Sequence, residues 1–387
     1  MSLSFFSRIN RELQELIHDR WLFSLLSWIP LLLLALMWLI FSQGIPREVP
    51  MGVIDLDKST ISRALVRHYQ VSPTLTVDDG YMALHEGEAA LRSGKIYALA
   101  VIPSDFGANA ILGRAPQVTV FVNSQFLLVG KIVTSALLQA QGTFNAQIEV
   151  GKNLATGSPV ITVAIARALP TANQITPLFN ISLNYAQFLI SAILPAIWQI
   201  FMVAATVLSL AAVHRNIGLA SWLGDSPFRS LLAKFLPLSL IFWLHGAIIL
   251  VVMYVWIGWP MHGSWLLLLF TQLLTAWASI AAGSLLFFIT RDTDRSMSLA
   301  SSYVAPGLAF MGVTFPVTDM TSLAKIWRSL LPVTHYVEVQ FAQVNYGAPL
   351  TSAIPKLLAL SLFSLPMFFV FVLAYWFSRK ARAGETA

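Results

Sequence analysis

The sequence predicts a polytopic α-helical membrane protein with six transmembrane helices and an α/β domain inserted between the first and second, and three observations carry that reading. The 387 residues are 57% hydrophobic and only 11% charged, with a mean hydropathy of +0.71, too apolar for a water-soluble chain of this length. Six stretches reach the length of about 20 mostly apolar residues that a span requires: 21–41, 183–213, 235–257, 265–290, 296–315 and 357–377. Between the first two, residues 46–180 carry ten basic and nine acidic side chains, the near-neutral balance of a solvated surface.

Six spans place both termini on one side, and Lys and Arg near the span ends indicate which. Arg8, Arg11, Arg20, Arg215, Arg229, Lys234, Arg291, Arg295, Arg379, Lys380 and Arg382 lie on one face, against Lys325, Arg328 and Lys356 on the short loops opposite. This asymmetry predicts cytoplasmic termini and an extracytoplasmic domain. The net charge of +6 sits at the membrane edges rather than in one stripe, so lipid is the predicted partner and nucleic acid is not. Without cysteine, disulfides, thiolate chemistry and cysteine metal sites are excluded. The start of the chain has no signal-peptide shape, so the first span is expected to remain as an anchor.

Along the chain, residues 1–20 form an expected elbow. RINRELQELIHDR places Ile9, Leu13, Leu16 and Ile17 at helical spacing, which predicts an amphipathic helix on the inner surface; the alternative is a plain extension of the first span. In 46–180, apolar runs at 49–54, 74–77, 97–102 and 118–122 predict strands, and 59–69 and 81–93 predict helices, together a small mixed sheet. Asp57, ahead of Lys58-Ser59-Thr60, is expected to support a helix N-terminus. Helical periodicity through 125–168 predicts long helices leading back to the membrane. The membrane domain, 183–387, holds spans two to six, a loop at 214–234, a turn at 258–264, and short amphipathic or re-entrant helices within 316–355, broken at Pro332.

No nucleotide-binding or catalytic cluster emerges. The pairs Gly94-Lys95, Gly130-Lys131 and Gly151-Lys152 lack the following Ser or Thr and the preceding glycine of a phosphate-binding loop,. Seven histidines are scattered without paired ligand spacing,. Of these only His245 falls clearly inside a span, where an ionisable group is a functional suspect, although a neutral histidine bonded to a neighbouring helix is the plainer reading. There is no nucleophile elbow, and Asp55, Asp57, Glu86 and Glu88 sit at strand ends or on helix faces. No cofactor is predicted in this chain. Asp225, Asp292 and Asp294 lie in loops, which leaves the spans without the mid-membrane acids of an ion-coupled transporter. Polar residues gather instead at Asn180, Asn184, Gln187 and Gln199 on the second span and at Ser296, Ser298, Ser301, Ser302 and Tyr303 on the fifth. Helix packing and a lined pathway both remain open for them.

The order of these parts resembles the membrane subunit of an ABC transporter of the type 2 permease class, in the bacterial branch with a large extracytoplasmic domain after the first span. The resemblance rests on RINRELQELIHDRW, on VPMGVIDLDKSTISRALVRHYQVSP, on LFNISLNY entering the second span, and on FPVTDM, LLPVTHYVEV and YGA after the fifth. In that family the loop after the second span is a coupling helix of pattern R-E-x-x-GTxExLxxTP followed by GKxxP. Arg215, Gly218, Leu223, Ser226, Pro227, Lys234 and Pro237 fit it, while Leu219 and Ser221 replace its threonine and glutamate.

The resemblance implies contact with a cytoplasmic ATPase subunit at Arg215, Gly218, Ser221, Leu223, Asp225, Ser226 and Pro227, with ATP and magnesium held by that partner. It implies a second permease copy or a sister permease, a translocation path past Asn184, Gln187, Gln199, Ser298, Ser302 and Tyr303, and residence in the bacterial inner membrane. In this branch it also implies a periplasmic adaptor and an outer-membrane channel. The function so implied is export of an amphipathic small molecule: a drug, a lipid-like molecule or a secreted metabolite. The alternatives are a membrane-anchored receptor or sensor with an extracytoplasmic ligand-binding domain, and an ion-coupled secondary transporter.

Overall fold

A computed structural model describes residues 5–42, 47–112, 114, 116–156 and 184–382. The chain divides into two compact units, one formed by Met1–Gly44 with Pro177–Ala387 and the other by Ile45–Thr176. The first begins with α1 (Phe5–His18), α2 (Arg20–Leu26) and α3 (Trp28–Phe41). The Asp19 carboxylate accepts the N–H groups of Trp21 and Leu22, each at 3.1 Å, and caps α2,. Helix α1 therefore ends before α2 begins. Between α2 and α3 the axis bends by 43°. Pro30, three residues past the break at Ser27, has no N–H to give the Leu26 carbonyl.

The second unit runs β1 (Val49–Asp55), α4 (Thr60–Gln70), β2 (Leu75–Asp78), α5 (Leu84–Arg92), β3 (Ala98–Ile102), α6 (Phe106–Ile111), β4 (Thr119–Val122) and α7 (Leu127–Thr156). The sheet order is β2-β1-β3-β4, with β1 parallel to β2 and β3, and β4 antiparallel to β3. Strand alternation sorts the side chains onto two faces. Val49, Met51 and Val53 of β1 join Ala98, Ala100 and Ile102 of β3, packed with Leu65 and Tyr69 of α4 and Val133, Leu137 and Phe144 of α7. On the other face Ile54 and Leu99 meet Ala90 of α5. With both faces covered, β1 and β3 read as continuous apolar runs, as central parallel strands do.

The four strands and two helices read from the sequence thus form close to their expected ends. Asp57 does support a helix N-terminus, but that of α6: its Oδ2 accepts the Gly107 N–H at 3.0 Å. Ser59 caps α4 instead, its hydroxyl accepting the Ser62 N–H at 3.0 Å. The helical reading of 125–168 holds through Thr156; the remainder, with Asn180, lies outside the described residues.

Back in the first unit follow α8 (Tyr185–Ile217), α9 (Leu219–Leu223), α10 (Pro227–Val251), a π turn at Val252–Trp256 and α11 (Trp265–Thr290). Next come α12 (Thr293–Val304), α13 (Gly307–Phe310), α14 (Ser322–Ser329), α15 (Pro332–Tyr346), α16 (Leu350–Ser361) and α17 (Ser364–Arg382). Among the described residues four helices are long and apolar enough to cross a membrane: α8, α10 with its π turn, α11, and α16 with α17; the bent α2–α3 pair makes a fifth. The stretch 296–315, expected as one span, is interrupted. Its first helix ends at Val304, and Pro306, which has no N–H for the Ser302 carbonyl, separates it from the single turn of α13,.

Pro332 opens α15, at a position where a missing N–H costs nothing,. That helix is buried along most of its length, through Val333, Tyr336, Val337, Val339 and Gln340. The unit is drawn together where α11 meets α8: a Cβ on Gly283 would come within 2.9 Å of the Val203 carbonyl oxygen. Thr206, Ser279 and Ser284 are buried in the same two helices, small side chains that let helix backbones approach closely.

Candidate functional site

The loop between α8 and α10 is built by two glycines. Gly218 adopts φ +77° and Gly224 φ +54°, a region that side chains with a Cβ avoid, so α8 stops at Ile217 and α9 stops at Leu223. Pro227 then opens α10,. The result is a five-residue helix suspended between two sharp turns. Arg215, Ser221 and Asp225 lie on its exposed side, with Ile217 and Phe228 exposed beside them. Leu223 and Pro227 are buried, while Gly218 and Ser226 are half-buried. Of the seven residues expected at an ATPase contact, three therefore present side chains outward, and Leu223 packs into the unit's main core.

Behind this loop lies a buried charge pair. Glu12 of α1 is 4% exposed and Lys234 of α10 is 2% exposed. The Lys234 ammonium donates to Glu12 Oε2 at 2.6 Å, and the Trp222 indole N–H of α9 donates to Oε1 at 2.6 Å. The same ammonium stands over the Trp222 ring, 5.5 Å from its centroid, within cation–π range. Arg8 Nη1 donates to the Ser230 hydroxyl at 2.6 Å, and that hydroxyl donates to the Trp222 and Leu223 carbonyls at 3.2 Å each. One carboxylate thus joins α1, α9 and α10 with both of its oxygens engaged.

The side of α1 turned to the protein carries Arg8, Glu12 and Leu16, four residues apart, while Ile17 of the apolar stripe is 59% exposed. A cavity of about 310 Å³ opens between α1 and the loop, lined by Arg8, Arg11, Ser221 and Gly224. Sequence reasoning took Lys234 as an edge charge and overlooked Glu12 and Trp222. The one available signal was the placement of Glu12 midway between Arg8 and Leu16 on a helical stripe.

Four of the six residues expected along a pathway have side-chain hydrogen-bond partners. Asn184 caps α8, its side chain accepting the Gln187 N–H at 3.1 Å. Gln199 is 1% exposed and its Oε1 accepts the Val333 N–H at 2.6 Å, at the start of α15. On α12, the Ser302 hydroxyl donates to the Ser298 carbonyl at 3.0 Å, and the Tyr303 hydroxyl donates to the Leu330 carbonyl at 2.6 Å. Helices α8 and α12 do pack together. The less-buried stripe of α8, however, is apolar, running through Ile193, Ile197, Ile200, Phe201, Ala204 and Leu208, whereas α12 exposes Ser298, Ser301 and Ser302.

Amide side chains also hold α15 elsewhere. Gln272 Nε2 of α11 donates to the Tyr336 hydroxyl at 2.9 Å, Gln340 Nε2 donates to the Ser191 carbonyl at 2.9 Å, and the Ser264 N–H donates to Gln343 Oε1 at 3.0 Å. An acid that sequence reasoning passed over, Glu338, lies on this helix in ion pairs with Arg328 and Lys356. His245 is buried beside Phe242, with ring centroids 6.4 Å apart. Among the described residues no three His, Asp or Glu side chains converge as a metal site.

No curated protein matches the chain. The family model described as ABC-2 family transporter protein matches residues 20–376, a stretch that includes the loop around α9, the α8–α12 pair and α15. That family supports a permease subunit of an ABC transporter, a multi-pass membrane protein whose ATPase is a separate partner subunit. With a match over nearly its whole length, the chain belongs to the ABC-2 family of transporter proteins.

Proposed function

We propose that this permease is the membrane subunit of an ATP-driven exporter in the bacterial inner membrane, with cytoplasmic termini, an extracytoplasmic segment 46–180, and a docking point for its ATPase on the loop around α9. One observation carries the reading: α9 hangs between two glycine turns, the loop around it exposes Arg215, Ser221 and Asp225, and it is tied from behind to α1 and α10 through Glu12 and Lys234. A push on α9 is then passed to the elbow and to a membrane helix together. The seven loop residues split accordingly, Arg215, Ser221 and Asp225 meeting the ATPase while Gly218, Leu223, Ser226 and Pro227 shape the loop.

A second copy or a sister permease completes the path. The apolar stripe of α8, together with Ser298 and Ser302 exposed on the neighbouring α12, supports an amphipathic cargo, and Gln199 and Tyr303 hold the frame behind that wall. An adaptor and an outer-membrane channel would carry the cargo onward. Glu338 gives an ion-coupled mechanism no support, because two cations already pair with it. A receptor or sensor, the remaining alternative, requires no ATPase.

Extraction in mild detergent tests the proposal. The ATPase is expected to co-purify, and Ser221→Arg with Asp225→Arg is expected to remove it without altering the elution of the permease. A permease that brings down no ATPase, and that keeps transport after those substitutions, overturns the reading.

A further inference from the structure

In the unit Ile45–Thr176, the connection leaving β1 enters α4 on one face of the sheet, and the one leaving β2 enters α5 on the other. The two loops lie at the carboxyl ends of adjacent parallel strands, the end of the sheet at which open α/β folds take ligands. A cavity of about 590 Å³ lies there, within the roughly 300–1,000 Å³ of small-molecule sites.

Lys58, Arg63 and Arg67 line it, and none of them forms an ion pair with a carboxylate among the described residues. Asp55 also borders the cavity, but its carboxylate is engaged. It accepts the Asp57 and Lys58 N–H groups at 3.0 and 2.9 Å and the Ser62 hydroxyl at 2.7 Å. Asp79 on the rim is the other acid. Arg63 is held in place by the Lys58 carbonyl, to which its Nε and Nη2 donate at 3.2 and 2.7 Å, leaving further N–H groups of the guanidinium fork for a ligand. Leu56, Tyr81 and Met82 supply an apolar side. The Tyr81 hydroxyl is shielded from solvent and has no hydrogen-bond partner among the described residues.

We propose that this cavity binds a small amphipathic anion, its carboxylate or phosphate group on Lys58, Arg63 and Arg67 and its apolar body against Leu56, Tyr81 and Met82. The site belongs to one unit and does not depend on ATPase docking, so either reading can fail without the other.

Equilibrium dialysis of the full-length chain in phosphatidylcholine nanodiscs, with 2-naphthoate as ligand and 2-naphthylmethylammonium as its cationic counterpart, tests it. Saturable 2-naphthoate binding above that of empty discs is expected, at least tenfold tighter than for the ammonium. R63Q/R67Q should weaken it at least tenfold, R63K/R67K should restore part of the loss, and Phe228→Ala in the other unit should leave it unchanged. No saturable binding, equal binding of the cation, or undiminished binding by R63Q/R67Q overturns the proposal. Loss of 2-naphthoate when phosphatidylglycerol is added to the discs assigns the anion to a lipid headgroup, and retention assigns it to a soluble molecule; either outcome upholds an anion site.

Discussion

Glu12 and Glu338 are both carboxylates held by cations in the same unit, and they are built in opposite ways. Glu12 pairs with a single lysine 222 residues distant and gives its second oxygen to an indole N–H. Glu338 pairs with Arg328 and Lys356, its neighbours in the consecutive helices α14, α15 and α16. The first contact exists only when α1 and α10 are already docked, so it works as a joint between distant parts. The second braces one local run of helices. Burial separates them further: the Lys234 side chain is 2% exposed, while that of Lys356 is 36% exposed.

Removing the joint is the most damaging test. Glu12→Ala strands a buried ammonium and should cost about 3–5 kcal/mol, seen as a lowered melting temperature in detergent together with loss of the co-purified ATPase. Adding Lys234→Met should recover most of that stability, because no charge is then left unpaired; a double variant as unstable as the single one would show that the pair is not the cause. Glu338→Ala should cost less, about 2–3 kcal/mol, since Lys356 reaches solvent and the buried Arg328 keeps the Met311 carbonyl as an acceptor, and it should leave ATPase recovery untouched. If both variants lose the ATPase equally, the distinction between joint and brace collapses.

Gln199→Leu removes the acceptor of the Val333 N–H at the start of α15 and should cost about 1–2 kcal/mol, again without effect at α9. A mutant melting like the parent would mean that this N–H finds another partner. The smallest effect belongs to a third carboxylate, one with no cationic partner among the described residues. The Ser59 hydroxyl and the Gly107 N–H hold Asp57 below the usual carboxylate range, against the opposing effect of burial. A lowered folded-state value means stability that is present above the unfolded value of about 3.9 and lost as pH falls through the folded value. Asp57→Asn should therefore lower the melting temperature slightly at pH 6 and hardly at all well below pH 3.9; a constant difference across that range would exclude titration of Asp57 as the cause.

Part of this is legible in the sequence. Pro306-Gly307 marks the break in 296–315, yet an average over twenty apolar residues conceals a single proline. Glu338 stands in VTHYVEVQFAQV, a charge in an apolar run, but it lay between the stretches read as spans. The polar residues of α8 stand out in an apolar stretch of sequence. Their direction was not readable, because a helical stripe identifies a face without saying what covers it.

Hydropathy alone determined that this chain belongs in a bilayer and where α8, α10, α11 and α17 lie, because spanning depends on composition over some twenty neighbouring residues. Short apolar runs likewise determined β1 to β4, and helical spacing determined α4 and α5. Only the tertiary structure decided that Glu12 meets Lys234, that Gln199 faces α15, and that three cations gather at the ends of β1 and β2. Those outcomes depend on which surfaces come together across long stretches of chain, and no local pattern records that.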